Sequence, residues 1–411
     1  MSRRVVVTGM AGVTSLGENW TDIQAKMKAG NTGICYMDDW ERYHDIGTRL
    51  AGPVTDFTIP KHYSRKSLRS MGRVSHLSVY ATECALTQAG LLEDKDFLQS
   101  GKIGTAYGSS FGSTPPVKAF ARLMETGEAR GLTATSYIQM MSHTAAVNIG
   151  VFFGLTGRVI PTSSACTSGS MAVGYAYEAI KAGQQDVMVA GGAEELCPTM
   201  AAVFDTLYAT SQRNDEPHLS PRPYDTARDG LVIGEGASTL ILEEREHALA
   251  RGAKIYAEIL GFGTNSDGKH ITQPSADTMK GALELAIKDS GLTPDDIALV
   301  SGHGTATSQG DVAECRATLS VFNRDVPFHT LKGYFGHSLG ACGAIEAWLG
   351  IEAMQSGWVP VTANLTEVDP DCVGMDHIMG NGREMNFDIF MSNNFAFGGI
   401  NTSLIIGKHS A

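Results

Sequence analysis

No stretch of about eighteen consecutive apolar residues occurs in the sequence, so no membrane-spanning helix is expected. Charge is scarce too: 18% of the residues are Asp, Glu, Lys or Arg, and the balance is −12 at pH 7. A chain short of positive charge is a poor partner in bulk for nucleic acid or anionic lipid. Regular cysteine spacing is also missing. Seven cysteines, an odd number, form neither a disulfide framework nor the short paired spacings of a zinc site. No metal is expected, and a reducing, cytoplasmic setting is the simplest reading. What the sequence has in quantity is hydrophobic residues, 43%, and glycine, 47 residues, which argues against disorder and for buried strands joined by tight turns. The twin Arg3-Arg4 precedes an apolar stretch, as in some export signals. Thr8, Gly9, Gly12 and Thr14 interrupt that stretch and no A-x-A site follows, so "RVVVTG" reads as a first buried strand.

Short β-branched runs alternate with helical patterns along all 411 residues. "RVVVTG", "KIGTAYG", "DVMVAGG", "STLILEE", "IYAEILGFG" and "IALVSGHG" are strand-like. Thr21–Gly30, His76–Gly90, Met171–Gly183, Thr278–Gly291 and Ala341–Gly357 are helix-like, each ending in the glycine that helix C-termini favour. The alternation predicts α/β layers with buried, mostly parallel sheets. A soft boundary falls near Glu246–Lys254 without a low-complexity linker, which divides the chain into halves 1–252 and 253–411 packed as one body.

Three segments carry chemistry. In "IPTSSACTSGSMAVGYAYEAIKAG", Cys166 stands at the start of an alanine-rich helix among small neighbours that leave room for a substrate. The helix dipole should lower its pKa, although a lone cysteine is more often a packing residue. "VSGHGTATSQGDVAE" follows a strand and presents His303 from a glycine-flanked turn; "HTLKGYFGHSLGACGAIEAW" repeats that plan with Lys332, His337 and a helix holding Glu346. Two such histidines make a candidate set with a cysteine. "SNNFAFGGINTSLIIG" adds a Gly-Gly turn whose backbone N–H groups could face a ligand.

Together these segments resemble the β-ketoacyl-[acyl carrier protein] synthases of the elongating I/II type. "SSACTSG" is similar to the family's nucleophile segment and "HGTATSQGD" to its HGT-x-T-x-x-GD loop. "LKGYFGHSLGACGA" is similar to K-x-x-x-GH-x-x-GA-x-GA, and "NNFAFGGIN" to N-S-F-G-F-GG-T-N; "RPYDTARDGLVIGEGA" also matches. The resemblance implies an α/β thiolase fold, two pseudo-symmetric βα halves layered αβαβα, normally dimeric.

It further implies a decarboxylating Claisen condensation. Cys166 would carry the acyl group, His303 and His337 would stabilise the enolate formed when malonyl-carrier protein loses carbon dioxide, and Lys332 and Glu346 would tune the histidines. Backbone N–H groups of Cys166 and Phe397 would form the oxyanion hole. Thr305 and Thr307 would hold the pantetheine arm, and Asp311 and Glu314 would support the His303 loop. Phe111, Phe204, Phe395 and Phe397 would line and gate the acyl pocket. No cofactor is implied, since substrates ride on the phosphopantetheine of acyl carrier protein. An acidic carrier fits a local basic patch despite the net charge: "KHYSRKSLRSMGR" puts Lys61, Arg65, Lys66, Arg69 and Arg73 largely at helical spacing, with Arg130 and Arg213 as further contacts.

Departures from the pattern bear on the substrate. Ala396 replaces the glycine before Phe397, which stiffens the gate. Phe111 stands where a smaller aliphatic residue is usual, so short or flat unsaturated acyl chains are expected, in fatty-acid or in polyketide or polyene synthesis. Asn394 and Ile400 also depart, and the sequence attaches no mechanism to either. A thiolase would need a second cysteine near the C-terminal turn, where "FAFGGIN" has none. The chain could be a homodimer, or the active member of a heterodimer with a silent chain-length-factor-like partner.

Overall fold

The computed structural model describes residues 3–410. The first half of the chain contributes strands β1 (Val5–Val13), β2 (Ile103–Gly108), β3 (Val159–Thr162), β4 (Val187–Glu194) and β5 (Gly236–Glu244). The second contributes β6 (Ala257–Ser266), β7 (Leu299–Ser301), β8 (Pro327–His329), β9 (Asp376–His377), β10 (Ile389–Ala396) and β11 (Ile400–Gly407). They form one sheet in the order β9-β8-β7-β10-β11-β6-β1-β5-β4-β2-β3. Counted outward from the seam between β6 and β1, each half runs first, fifth, fourth, second, third strand, with β9 added at the far edge. The same order appearing twice is the pseudo-symmetry of the thiolase fold.

The sheet is mixed rather than mostly parallel. Both wings, β4-β2-β3 and β10-β7-β8-β9, are parallel, but every pair from β4 through the seam to β10 is antiparallel. The reason is local: β10 and β11 are joined by only Phe397-Gly398-Gly399, and both glycines have positive φ (87° and 71°), so the strands must form a hairpin. The central strands are buried on both faces, so their sequences read as continuous apolar runs whatever their direction.

Helices α1 (Arg73–Gln88) and α2 (Thr144–Phe153) lie against the first half-sheet, and α4 (Ala276–Ser290) and α5 (Ser308–Phe322) belong to the second. Two more, α3 (Ser168–Lys181) and α6 (Cys342–Ser356), pack on each other between the half-sheets. α6 is buried nearly all round, as a helix without a polar face must be. Close packing of these inner helices depends on glycine. A Cβ at Gly169 would lie 2.8 Å from the Gly340 carbonyl, and one at Gly343 would lie 2.8 Å from Ser170 Cβ. Among the described residues, no helix is long and apolar enough to cross a membrane.

Candidate active site

Each inner helix begins in the same way. Ser164 precedes a 3₁₀ turn, Ala165–Thr167, and Ser338 precedes its counterpart, Leu339–Ala341. The first residue of each turn has positive φ, 50° at Ala165 and 44° at Leu339, a strained conformation for a side chain and one concentrated at functional sites. The middle residues are Cys166 and Gly340. Cys166 is thus set by a strained turn, two residues ahead of the start of α3, and is 4% exposed.

His337 follows the Gly336 turn (φ 71°) and is held by its backbone, whose N–H donates to Val232 O at 2.6 Å. Its Nε2 lies 2.9 Å from Cys166 Sγ. His303 leaves β7 through Gly302, and its ring stands perpendicular to that of His337, 5.2 Å between centroids. A sulfur and two nitrogens from Cys166, His303 and His337 lie within 4.8 Å of one another, a donor set that a thiophilic ion could also use. The backbone N–H groups of Phe397 and of Cys166 itself point at the sulfur.

Burial decides the protonation states. It pushes the Cys166 thiol up to about 11, against the pull of Lys332 and those two N–H groups. The dipole-lowered thiolate expected from the sequence is therefore not the resting state: full desolvation outweighs one helix start. Burial, then the Lys332 ammonium, holds His303 and His337 well below their ordinary value, so both are neutral. Lys332 itself stays protonated: burial opposes its charge, but the Glu346 carboxylate beside Nζ more than offsets this. Glu346 Oε2 accepts from Asn394 Nδ2 at 2.6 Å. Glu314 accepts the N–H groups of His303 and Gly304 and the Tyr224 hydroxyl, and Asp311 accepts those of Thr305 and Tyr224, so both carboxyls brace the His303 loop.

A cavity of about 520 Å³ opens onto Cys166, His303 and His337. Phe204, Phe395, Phe397, Thr305 and Thr307 line it, with the two threonine hydroxyls 3.0 Å apart and the Phe204 and Phe397 rings 5.1 Å apart. Leu207, Ile271 and the 91% exposed Tyr208 also line the cavity and are exposed at the surface. Cys342 does not line it; its thiol donates to the Cys166 carbonyl at 3.2 Å.

Other expected residues lie elsewhere. Phe111 is absent from the cavity wall and is 42% exposed on this chain, beyond the end of β2 where Ser163 reaches Ser110 O. The basic segment is not one helix: a single turn, Arg65–Leu68, stops before Gly72, and α1 begins afresh at Arg73. Arg65, Lys66 and Arg69 are exposed, whereas Arg73 is tied to Glu235 at 2.9 Å. Arg130 shares a groove with Lys118 and Arg122. Arg213 is turned inward, donating to Ala227 O at 2.8 Å, with Asp229 3.5 Å away. Sequence reading missed Glu194. Its buried carboxylate accepts from the N–H groups of Ser110 (2.8 Å) and Gly340 (3.0 Å), and no sequence motif announces that bridge. Asn394 was visible only as a departure from the family pattern.

Comparison with known proteins agrees with this geometry. Residues 2–248 match the sequence model described as "Beta-ketoacyl synthase, N-terminal domain", and residues 256–366 that of the C-terminal domain. A 3-oxoacyl-[acyl-carrier-protein] synthase 2 of Vibrio cholerae is 37% identical, covering 99% of both chains. The crystal structure of a beta-ketoacyl synthase from Burkholderia phymatum superposes with a TM-score of 0.98 at 55% identity, over 99% of this chain and 100% of that one. The ishigamide ketosynthase/chain length factor superposes with 0.90 at 30% identity, over 100% of each chain. With both domain models, the length and the Cys-His-His cluster in agreement, the chain belongs to the beta-ketoacyl synthase family of condensing enzymes.

Proposed function

We propose that this chain condenses an acyl group held on Cys166 with a malonyl unit delivered by an acyl carrier protein. The observation that carries the reading is the 2.9 Å approach of a neutral His337 to a buried Cys166 thiol, with His303 beside it. Cys166 gives its proton to His337 Nε2 as the sulfur attacks the incoming thioester carbon. The oxyanion then meets the N–H groups of Cys166 and Phe397, and the carrier thiol leaves with the proton. When malonyl-carrier protein follows, the neutral imidazole of His303 donates to its thioester oxygen, and His337 does so once its ring proton has passed from Nδ1 to Nε2. The bond to the carboxylate breaks, carbon dioxide departs, and both donors stabilise the enolate. The enolate carbon attacks the acyl-Cys166 carbonyl, and collapse of that adduct releases the Cys166 thiolate and a β-ketoacyl-carrier protein. Burial keeps both histidines neutral, and the Lys332 ammonium, held in place by Glu346, adds to it.

Thr305 and Thr307 act as hydrogen-bonding partners of the pantetheine arm, and Phe204, Phe395 and Phe397 as the wall and gate of the acyl site. Arg65, Lys66, Arg69 and Arg130 are the carrier-protein contacts; Arg213 contributes only if its link to Asp229 opens. The chain divides at 252/253 into a half with the nucleophile and a half with the histidines, and it works in the cytoplasm without a bound cofactor. The active form is a homodimer built along the exposed β3 edge, where Val159 and Phe111 present apolar surface. A heterodimer with a silent partner is the second reading, favoured by the full-length likeness to a ketosynthase/chain length factor. Covered by a second copy, Phe111 would shorten the acyl site and favour short or unsaturated chains.

Mass spectrometry after incubation with acyl-carrier thioesters tests the reading. An acyl adduct is expected on Cys166 and none in Cys166→Ala; an adduct on another residue overturns it. Equal turnover of long saturated chains removes the assignment to Phe111.

A further inference from the structure

We infer that Asn394 is a positioning residue that keeps the proton of His303 on Nε2, an inference that rests on the reading of His303 as a hydrogen-bond donor to the enolate. Asn394 sits near the end of β10, fully buried. Its Nδ2 donates to Glu346 Oε2 at 2.6 Å, and the same nitrogen lies 3.5 Å from His303 Nδ1. The orientation of the amide is dictated by its neighbours. Glu346 holds Lys332 on one oxygen, and its other oxygen can only accept, so the NH₂ end must face it.

An amide nitrogen carries two hydrogens. One is committed to Glu346, and the second faces His303 Nδ1 at 3.5 Å, with the weaker acceptor Cys342 Sγ farther off at 3.8 Å; no other side chain among the described residues bonds that ring nitrogen. A neutral imidazole that accepts at Nδ1 carries its proton on Nε2. The ring lines the cavity, so this tautomer turns a donor towards the substrate. The other charged or titratable groups around the ring, Lys332, His337 and Cys166, give Nδ1 no hydrogen bond, and Glu314 grips only the His303 backbone N–H. Serine, the residue of the family pattern quoted above, has one hydroxyl proton and can donate to Glu346 or His303 but not to both. The asparagine thus links the Lys332–Glu346 ion pair to the tautomer of the histidine. Its Oδ1 finds no partner, which fits a side chain placed for its nitrogen.

The test is ¹⁵N NMR of ring-labelled histidine, with His303 assigned by its loss in His303→Ala, combined with kinetics of Asn394→Ser and the near-isosteric Asn394→Asp. In the unaltered enzyme His303 should show the Nε2–H tautomer; the Nδ1–H form would overturn the proposal whatever the variants do. In Asn394→Ser the ring nitrogens should move towards averaged values. Release of carbon dioxide from malonyl-carrier protein should lose about tenfold in kcat with KM unchanged. Acylation of Cys166 should stay within about twofold. In Asn394→Asp the new carboxyl must share a proton with Glu346 Oε2 and turns an acceptor to Nδ1, so the ring should favour the Nδ1–H form and carbon dioxide release should fall at least as far as in Asn394→Ser. Unaltered His303 shifts and unaltered kcat in both variants would sink the inference while Cys166 acylation stands. Failure of the unaltered enzyme to acylate Cys166 would instead sink the functional reading, leaving the tautomer measurement to be judged alone.

Discussion

The starts of the two inner helices are the same structure put to different uses. At α3 the middle residue of the strained turn is Cys166, which lines a cavity. At α6 the middle residue is Gly340, and its N–H is closed off by the Glu194 carboxylate. One end is open to the cavity. The other is filled by a carboxyl group of the protein's own. The duplicated fold therefore supplies two equivalent helix starts, one open to the cavity at Cys166 and the other tied across the halves by Glu194.

That contrast can be broken experimentally. The largest effect belongs to Cys166→Ala, which should abolish the acyl adduct and reduce condensation on the order of 10⁴-fold or more, with the melting temperature nearly unchanged. Gly340→Ala, at the matching position, should do the reverse. A Cβ there would lie 2.7 Å from Ser110 N and 2.8 Å from Glu194 Oε2, so the variant should lose about 1–3 kcal/mol in denaturant titration. If Gly340→Ala were as stable as the parent, the closed end would have no structural task.

Larger in stability than Gly340→Ala is the effect of Lys332→Met, which leaves Glu346 buried without its counter-charge. A loss of about 3–5 kcal/mol is expected by chemical denaturation. Glu194→Gln should be milder, about 1–3 kcal/mol, because the amide oxygen can replace only part of the carboxylate's acceptor capacity. Its pH dependence has a definite sign. Burial pushes Glu194 up to about 7, so its favourable contribution is complete below the ordinary carboxylate value near 4.5 and is lost as pH rises through 7. The variant's deficit should accordingly be larger at pH 5 than at pH 8. A deficit growing with pH would contradict the closed-end picture.

The smallest effect concerns the open end. Because Cys166 titrates at about 11, alkylation by iodoacetamide should keep rising from pH 7 to beyond pH 9 rather than level off at neutrality. Because both histidines are held below 6.5, the acid limb of carbon dioxide release should lie under that pH.

The site was largely legible in the sequence, whereas the duplication was not. Cys166, His303 and His337 lie in glycine- and serine-rich turns whose residue order is distinctive, so the motifs point to them even though they are far apart in the chain. The repeat is hidden because equivalent turns read Ser-Ala-Cys-Thr and Ser-Leu-Gly-Ala, alike in backbone and unlike in side chain. Strand direction escaped for a related reason: doubly buried strands carry the same apolar run whether parallel or antiparallel, and only the short Phe397-Gly398-Gly399 link betrays the hairpin. Glu194, Asn394 and the inward turn of Arg213 depend on partners more than 10 residues away, which no local pattern encodes. Phe111 was legible as a bulky residue, but its exposure on this chain was not.

The seam between the half-sheets is short: Val5, Val6 and Val7 pair with Ile259, Glu258 and Ala257, and the rest of the join includes the packing of α3 and α6 on each other and on the opposite half-sheet, and the Glu194–Gly340 hydrogen bond. Cys166 rides on one side of that join, and His337 and the Phe397 N–H ride on the other. Catalytic alignment is therefore a gauge of how tightly the halves are clamped. A slip of an ångström along α3 and α6 would part sulfur from imidazole while leaving both half-sheets folded, so activity should fade at denaturant concentrations that leave the circular dichroism unchanged.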